Sequence, residues 1–501
     1  MSKLAARHKR DDPVRASFSH NTANLGQRVA SGAGFTFLSI LLKTVITLGS
    51  MAILARLLTP ADFGYVAMAA VIAELAALFG GFGLGNLLIQ RPKINRLQLD
   101  TVFWASAALG MLLATGVFLL SFFASWLFKE PTTGDLLRIM CLIFAFGGLT
   151  CAQEAILFRL MRFRTVFWIQ IATITMRSLT AIGFAMLGFG VWSLIVGSVA
   201  ASIFSVILYA IAVPYRPRFR FHAPYLTSTW KVSGSYFGSG FLYYIQTNID
   251  LLLIGRSLGS TALGFYQNAR ALTDEVRGRI AMPLQRVLFP AFSAIQTDNP
   301  RLQTSVIKAG RLLAAVIFPI GIGLSAVAVE LVPVLYGPQW LDMIPVLGML
   351  GISAAIKGST AIATPLYNAK NRVALAFKYN LIGTALLVAG VVIALPYGLE
   401  AIALAVTLVS AYSLVTFRIG LGLIGLGTKH VFQILGHPAL ASFAMWLAIG
   451  GLRHFSLSWA VHPVALLALH VLSGAVIYAI ALHLLSTQYL RDFSELARKL
   501  R

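Results

Sequence analysis

Charge is scarce in this sequence. Only 11% of its 501 residues are Asp, Glu, Lys or Arg, against about 25% in an ordinary soluble protein, which excludes a water-soluble globular fold. Acids are the scarcer sign, with 17 Asp and Glu against 40 Lys and Arg. Cysteine is confined to Cys141 and Cys151 within one apolar run, so no disulfide framework is implied. Long polar stretches are missing beyond residue 30, which leaves no room for a sizeable extramembrane domain. No zinc-protease, nucleophile-elbow, phosphate-loop or paired-cysteine motif occurs, and the histidines show no metal-ligand spacing. The chain is therefore expected to be no enzyme and to need no cofactor or metal.

Apolar length is what the sequence has. Runs that reach spanning length, about 20 residues, lie at about 33–57, 63–90, 101–128, 136–158, 165–189, 191–213, 230–256, 263–294, 308–336, 341–368, 374–396, 398–422, 437–455 and 460–486. Runs this long are helices, because a barrel strand needs only about 10 residues of alternating character. The expected class is an all-α polytopic membrane protein of about 14 transmembrane helices.

The basic excess sits in short gaps after the even spans, as at Arg91 to Arg96, Arg162 and Arg164, Arg216 to Arg220, Arg301, and Lys370 and Arg372. That is the positive-inside pattern, not a nucleic-acid stripe, and it predicts cytosolic termini. A basic leader, residues 1–30, precedes the first span, and a short amphipathic tail helix is expected from Arg491 to Arg501. The glycine cluster Gly80-Gly81-Phe82-Gly83-Leu84-Gly85 lacks the strand and spacing of a dinucleotide loop, so close helix packing or local bending is expected there.

An internal repeat organises the chain. Ile53 to Tyr65 aligns with Leu253 to Phe265 at an offset of 200, matching Arg56 with Arg256, Leu58 with Leu258 and Gly64 with Gly264. The first and seventh spans therefore correspond, which gives a parallel repeat. The expected division is a tail at 1–30, a six-helix lobe at 31–222, a second at 223–430, two additional spans at 431–488 and a cytosolic tail at 489–501. Two such lobes around a central cavity, rocking to open it to either side, suit a transporter.

The segments Leu54-Ala55-Arg56-Leu57-Leu58-Thr59-Pro60-Ala61-Asp62-Phe63-Gly64-Tyr65, Gly83 to Arg91, Asn248 to Arg256 and Val287-Leu288-Phe289-Pro290-Ala291 resemble the polysaccharide transporter family of Wzx-type flippases. The resemblance runs over most of residues 30 to 430. It implies the multidrug/oligosaccharidyl-lipid/polysaccharide superfamily, and a cargo of oligosaccharide repeat units on undecaprenyl diphosphate. That cargo would cross from the cytosolic to the periplasmic leaflet of the bacterial inner membrane, for exopolysaccharide, capsule or lipopolysaccharide biosynthesis. Partners would be the lipid-linked oligosaccharide, membrane lipids, and polymerase and export proteins. A peptidoglycan-precursor flippase shares the diphosphate lipid and stands as an alternative. A glycan polymerase or ligase would want a large outer loop, and a cation antiporter an acidic cavity.

Ionisable groups inside spans cost at least about 2.5 to 3.5 kcal/mol each, so they mark wet cavities or partners. Lys43, Glu74, Arg177 and Lys357 lie within spans, and the eighth span carries Arg270, Asp274, Glu275, Arg277 and Arg279. Positions 270, 274 and 277 share one helical face, and 275 and 279 lie about 140° away at about 100° per residue. Arg270, Arg277, Lys43, Lys357 and Arg177 are the candidate diphosphate-binding cations, since guanidinium meets phosphate with paired, charge-assisted hydrogen bonds. Asp274, Glu74 and Glu154 are the candidates for orientation or ion coupling. The competing reading makes Arg270, Asp274 and Arg277 an internal salt-bridge ladder. Lys43 could equally pair with Glu74, Glu154 is expected to pair locally with Arg159, and Asp250 and Arg256 to serve packing or gating.

Overall fold

A computed structural model describes residues 25–80, 84–91, 93–456, 462–486, 488–489 and 492, without the side chains of 25–37, 39, 79–80, 227–239, 276–277 and 456. Residues 1–24 of the basic leader, residues 81–83 of the glycine cluster, the expected tail helix apart from Asp492, and the side chain of Arg277 lie outside the described residues, and the end of the leader, residues 25–30, forms the start of the first helix. No strand occurs among them. In chain order the helices are α1 (Leu25–Leu57), α2 (Pro60–Gly80), α3 (Leu84–Gln90), α4 (Arg96–Phe128), α5 (Pro131–Arg159), α6 (Phe163–Met186), α7 (Trp192–Ala212) and α8 (Pro224–Ala294). They continue as α9 (Asn299–Ala326), α10 (Ala328–Leu335), α11 (Met343–Ser359), α12 (Ala363–Ala369), α13 (Val373–Ala394), α14 (Leu399–Ser410), α15 (Tyr412–Gly422), α16 (Thr428–Ser456) and α17 (Pro463–Leu485).

Twelve segments among the described residues are long and apolar enough to cross a bilayer. The two remaining expected spans share α8, where Asp250, Arg256, Arg270, Asp274, Glu275 and Arg279 interrupt the apolar run. Large apolar side chains point outward along the spans, among them Leu112, Trp126, Ile211, Ile393 and Leu484. Water would penalise that surface and lipid does not. The protein is a multi-pass, all-α membrane protein.

Local chemistry sets the helix boundaries. At α2, Pro60 opens the first turn, and Asp62 accepts from the Thr59 amide at 2.9 Å and the Thr59 hydroxyl at 2.8 Å. At α4, Asn95 and Gln98 form a capping box: the Gln98 amide donates to Asn95 Oδ1 at 2.8 Å and the Asn95 amide to Gln98 Oε1 at 3.0 Å. Within α8 the chain breaks at Gly259, with φ 83° and ψ −175°, a conformation that only glycine adopts freely. At the repeat offset, Gly259 matches Thr59, where α1 gives way to α2. The same joint is made by proline and capping in one copy and by glycine in the other.

The chain divides into two compact units, parting between Asn248 and Ile249. Within the first, α4 packs on α5, α6 on α7, and α5 on α7. Within the second, the repeat-related pairs recur as α9 on α11, α13 on α14, and α11 on α14. The last two long helices, α16 and α17, pack on each other and α16 on α9, burying Ala315, Met445, Ile449 and Tyr478.

Glycine makes the closest crossings. A Cβ at Gly110 would sit 2.7 Å from the carbonyl oxygen of Phe144, and one at Gly148 would strike the carbonyl oxygen of Ser106. Backbone therefore touches backbone, and Ser106 Oγ donates to the Gly148 carbonyl at 2.9 Å. Across α9 and α11, a Cβ at Gly321 would lie 2.7 Å from the Gly351 carbonyl oxygen. Gly148→Ala must push α4 from α5 and is expected to cost about 1 to 3 kcal/mol. A lower thermal midpoint of the detergent-solubilised protein checks it.

Candidate functional site

In the first unit the polar side chains of four helices meet. Lys43 on α1 donates from Nζ to Gln170 Oε1 on α6 at 2.6 Å. Glu154 on α5 is half-buried, hydrogen-bonds the buried Tyr209 on α7, and feels the charge of Lys43. Two expected pairings do not form. Glu154 and Arg159 are five residues apart on α5, so their side chains leave the helix about 140° apart and cannot meet. Arg159 instead turns to the C-terminal end of α3, donating to the carbonyls of Leu88 at 2.6 Å and Arg91 at 2.5 Å. There a buried cation meets carbonyls that the helix leaves without partners. Glu74 is exposed on α2 and accepts from Asn248 Nδ2 at 3.1 Å, rather than from Lys43.

Arg177 stands in the middle of α6 and is exposed on its unit, with no hydrogen-bond or ion-pair partner among the described residues. Its backbone is fixed, because α7 approaches so closely that a Cβ at Gly197 would lie 2.8 Å from the Arg177 carbonyl oxygen.

A groove of about 370 Å³ also lies in the first unit, lined by Gly85 and Asn86 of α3, Ser106 and Gly110 of α4, and Gly148 and Cys151 of α5. Cys151 is one helical turn from Glu154 and lies within reach of its charge. Both cysteines are free thiols. The groove falls at the low end of small-ligand pockets, too small for a lipid carrying several sugars.

In the second unit the break at Gly259 brings Asp250 on one arm of α8 against the other arm. Arg270 NH1 donates to both oxygens of Asp250 at 2.9 and 3.1 Å, and its Nε to Asp274 Oδ2 at 3.2 Å. The Tyr266 hydroxyl donates to Asp250 Oδ2 at 2.7 Å and the Leu251 amide to Oδ1 at 2.9 Å. Asp250 is 7% exposed and Asp274 42%, so one anchor is buried and the other open. Glu275 and Arg279 pair with each other on a different face. Lys357 is half-buried in the last turn of α11.

A further constellation escaped the sequence reading. Arg453 on α16 makes a two-pronged contact with Glu330 on α10, at 2.7 and 3.0 Å, and also donates to the Ala326 carbonyl. The buried His470 on α17 brings Nδ1 to 3.1 Å from Glu330 Oε1. An acid, an arginine and a histidine within apolar helices were a signal, but separations beyond a hundred residues hid the contact.

Comparisons with known proteins agree with this architecture. Residues 53–345 match the family described as "Polysaccharide biosynthesis protein". The chain is 30% identical over 491 residues to the succinoglycan biosynthesis transport protein ExoT of Rhizobium meliloti (strain 1021), covering 95% of each. It is 26% identical over 495 residues to the teichuronic acid biosynthesis protein TuaB of Bacillus subtilis (strain 168), covering 95% of this chain and 99% of that one. It is 26% identical to the lipopolysaccharide biosynthesis protein WzxC of Escherichia coli (strain K12), covering 74% of this chain and 76% of that one. Among solved structures, the lipid II flippase MurJ in an inward closed conformation shares the fold, with a TM-score of 0.68 at 15% identity over 91% of this chain and 98% of that one. Full-length similarity, the repeated helical units and the superfamily fold together identify the chain as a member of the Wzx-type polysaccharide transporter family of the multidrug/oligosaccharidyl-lipid/polysaccharide superfamily.

Proposed function

We propose that the protein is a flippase carrying undecaprenyl-diphosphate-linked oligosaccharide repeat units from the cytosolic to the periplasmic leaflet of the bacterial inner membrane. The observation that carries this reading is similarity along 95% of the chain to a succinoglycan transport protein. Transport proceeds by alternating access, with no bond made or broken in the cargo, and both termini lie in the cytosol.

The cation-rich interior of the spans supports an anionic cargo. Arg177 is the cation most ready to meet the diphosphate, since no protein group among the described residues answers its charge. Arg270 is the second. Its buried partner Asp250 fixes the guanidinium plane, and the open partner Asp274 is the acceptor that a phosphate oxygen can replace. Lys43, Lys357 and Arg277 add charge. Glu154, between Tyr209 and Lys43, is the best placed of the acids for ion coupling, ahead of Glu74.

Deleting the protein from cells is expected to accumulate one complete oligosaccharide on its polyprenyl diphosphate at the cytosolic leaflet, read by mass spectrometry of the extracted lipids. Loss of polymer with the unit already outside would instead assign a polymerase or ligase. Accumulation of the peptidoglycan precursor would assign the other flippase activity.

A further inference from the structure

The segment joining α7 to α8, residues 213–223, is neither helix nor strand, yet it is tied down along its length. Asp100, fully buried in the first turns of α4, accepts from the Tyr215 hydroxyl and, at 3.2 Å, from the Arg218 amide. Thr101 Oγ1 accepts from the His222 amide at 3.1 Å. Arg96 donates to the Arg216 carbonyl at 3.2 Å, and Trp104 Nε1 to the Arg218 carbonyl at 2.9 Å. The Trp104 ring stacks on Phe219 with centroids 4.3 Å apart. Burial first, and the Asp100 carboxylate second, push the Tyr215 hydroxyl well above its ordinary range, so it remains a donor. Tight turns bring the amide of Tyr215 to the carbonyl of Val213, and that of Arg220 to the carbonyl of Arg218.

This strap presents a consistent chemistry outward. Arg216, Arg218 and Arg220 are all exposed, and among the described residues none of their guanidinium groups has a partner. Between and beside them Phe219 is 89% exposed and Phe221 58%. Arg91, Lys93 and Arg96 are exposed in the same unit, while the nearby acid, Asp100, is spent on the clamp. The strap links the ends of two membrane helices, so it stands at headgroup depth.

We propose that the strap is a docking surface for the anionic phospholipid headgroups of its leaflet, with the three arginines on phosphates and Phe219 and Phe221 seated at the headgroup–acyl boundary. Arginine's planar fork suits phosphate, and aromatic rings favour the interface. Basic residues close to an anionic surface each add to its attraction. Cations that served only to orient the chain during insertion would need neither a rigid mount nor aromatic neighbours. This inference does not depend on the identity of the cargo.

The test uses the full chain in nanodiscs of mixed phosphatidylcholine and phosphatidylglycerol, with phospholipids retained after detergent extraction counted by native mass spectrometry. The wild type is expected to retain phosphatidylglycerol preferentially. Arg216→Gln/Arg218→Gln/Arg220→Gln should lose that preference by about a hundredfold with phosphatidylcholine retention unchanged. The corresponding Arg→Lys triple variant should keep most of it. Arg162→Gln/Arg164→Gln, which removes exposed cations from the start of α6, should change it little. Equal losses in the two Gln variants would show general charge alone and overturn the proposal. Undiminished retention in the strap variant would overturn it too, and would leave an acidic protein as the partner for this surface.

Discussion

Arg177→Gln is expected to lower export about ten- to a hundredfold while leaving the protein inserted and as stable as the wild type. Hydrogen bonds to charged groups contribute about 1.5 to 3 kcal/mol, and about 1.4 kcal/mol is a factor of ten. Arg177 has no partner among the described residues, so its removal strands no buried acid, and the loss is expected to fall on the proposed anionic cargo alone. Arg177→Lys keeps the charge without the planar fork and should fall between the two. Translocation of a lipid-linked repeat unit in proteoliposomes, beside a thermal unfolding curve, separates the two effects. Wild-type transport by Arg177→Gln removes this residue from the site.

Arg270→Ala should behave differently and lose stability as well as export. Asp250 is 7% exposed and holds both oxygens toward Arg270, so truncation leaves a buried carboxylate with only the Tyr266 hydroxyl and the Leu251 amide. Breaking a buried pair in this way costs about 3 to 5 kcal/mol, and the two remaining donors place Arg270→Ala toward the lower figure. Neutralising both partners, as Asp250→Asn/Arg270→Gln, should recover much of the unfolding midpoint, since neither half is then left charged and buried. Export by the double variant decides the role of Arg270. Continued failure assigns it to cargo, and recovery assigns it to packing alone.

Much of the fold was legible because a bilayer imposes a long, unambiguous apolar run. The expected spans at 101–128, 136–158 and 374–396 correspond to α4, α5 and α13 with small shifts at their ends. Interruptions were harder to read. The run at 63–90 is two helices, α2 and α3, and that at 308–336 is α9 and α10, because hydropathy averages over the junctions. The site was legible in residue type but not in pairing. Helical spacing anticipated the Arg270–Asp274 contact, which is four residues long. It could not anticipate Asp250 with Arg270 across a break, or Lys43 with Gln170 over 127 residues. The expectation for Glu154 and Arg159 erred by one residue of phase, for on a helix a separation of four faces inward together and five does not.

The glycine crossing of α4 and α5 also limits how the first unit can move. Two rods in backbone contact at Gly110 and Gly148, latched by Ser106, have no layer of pliant side chains on which to slide. They must swing as one lever in any cycle, and bending has to be found elsewhere. In the second unit bending is expected at Gly259, where a positive φ spares the backbone the strain that any other residue would bring.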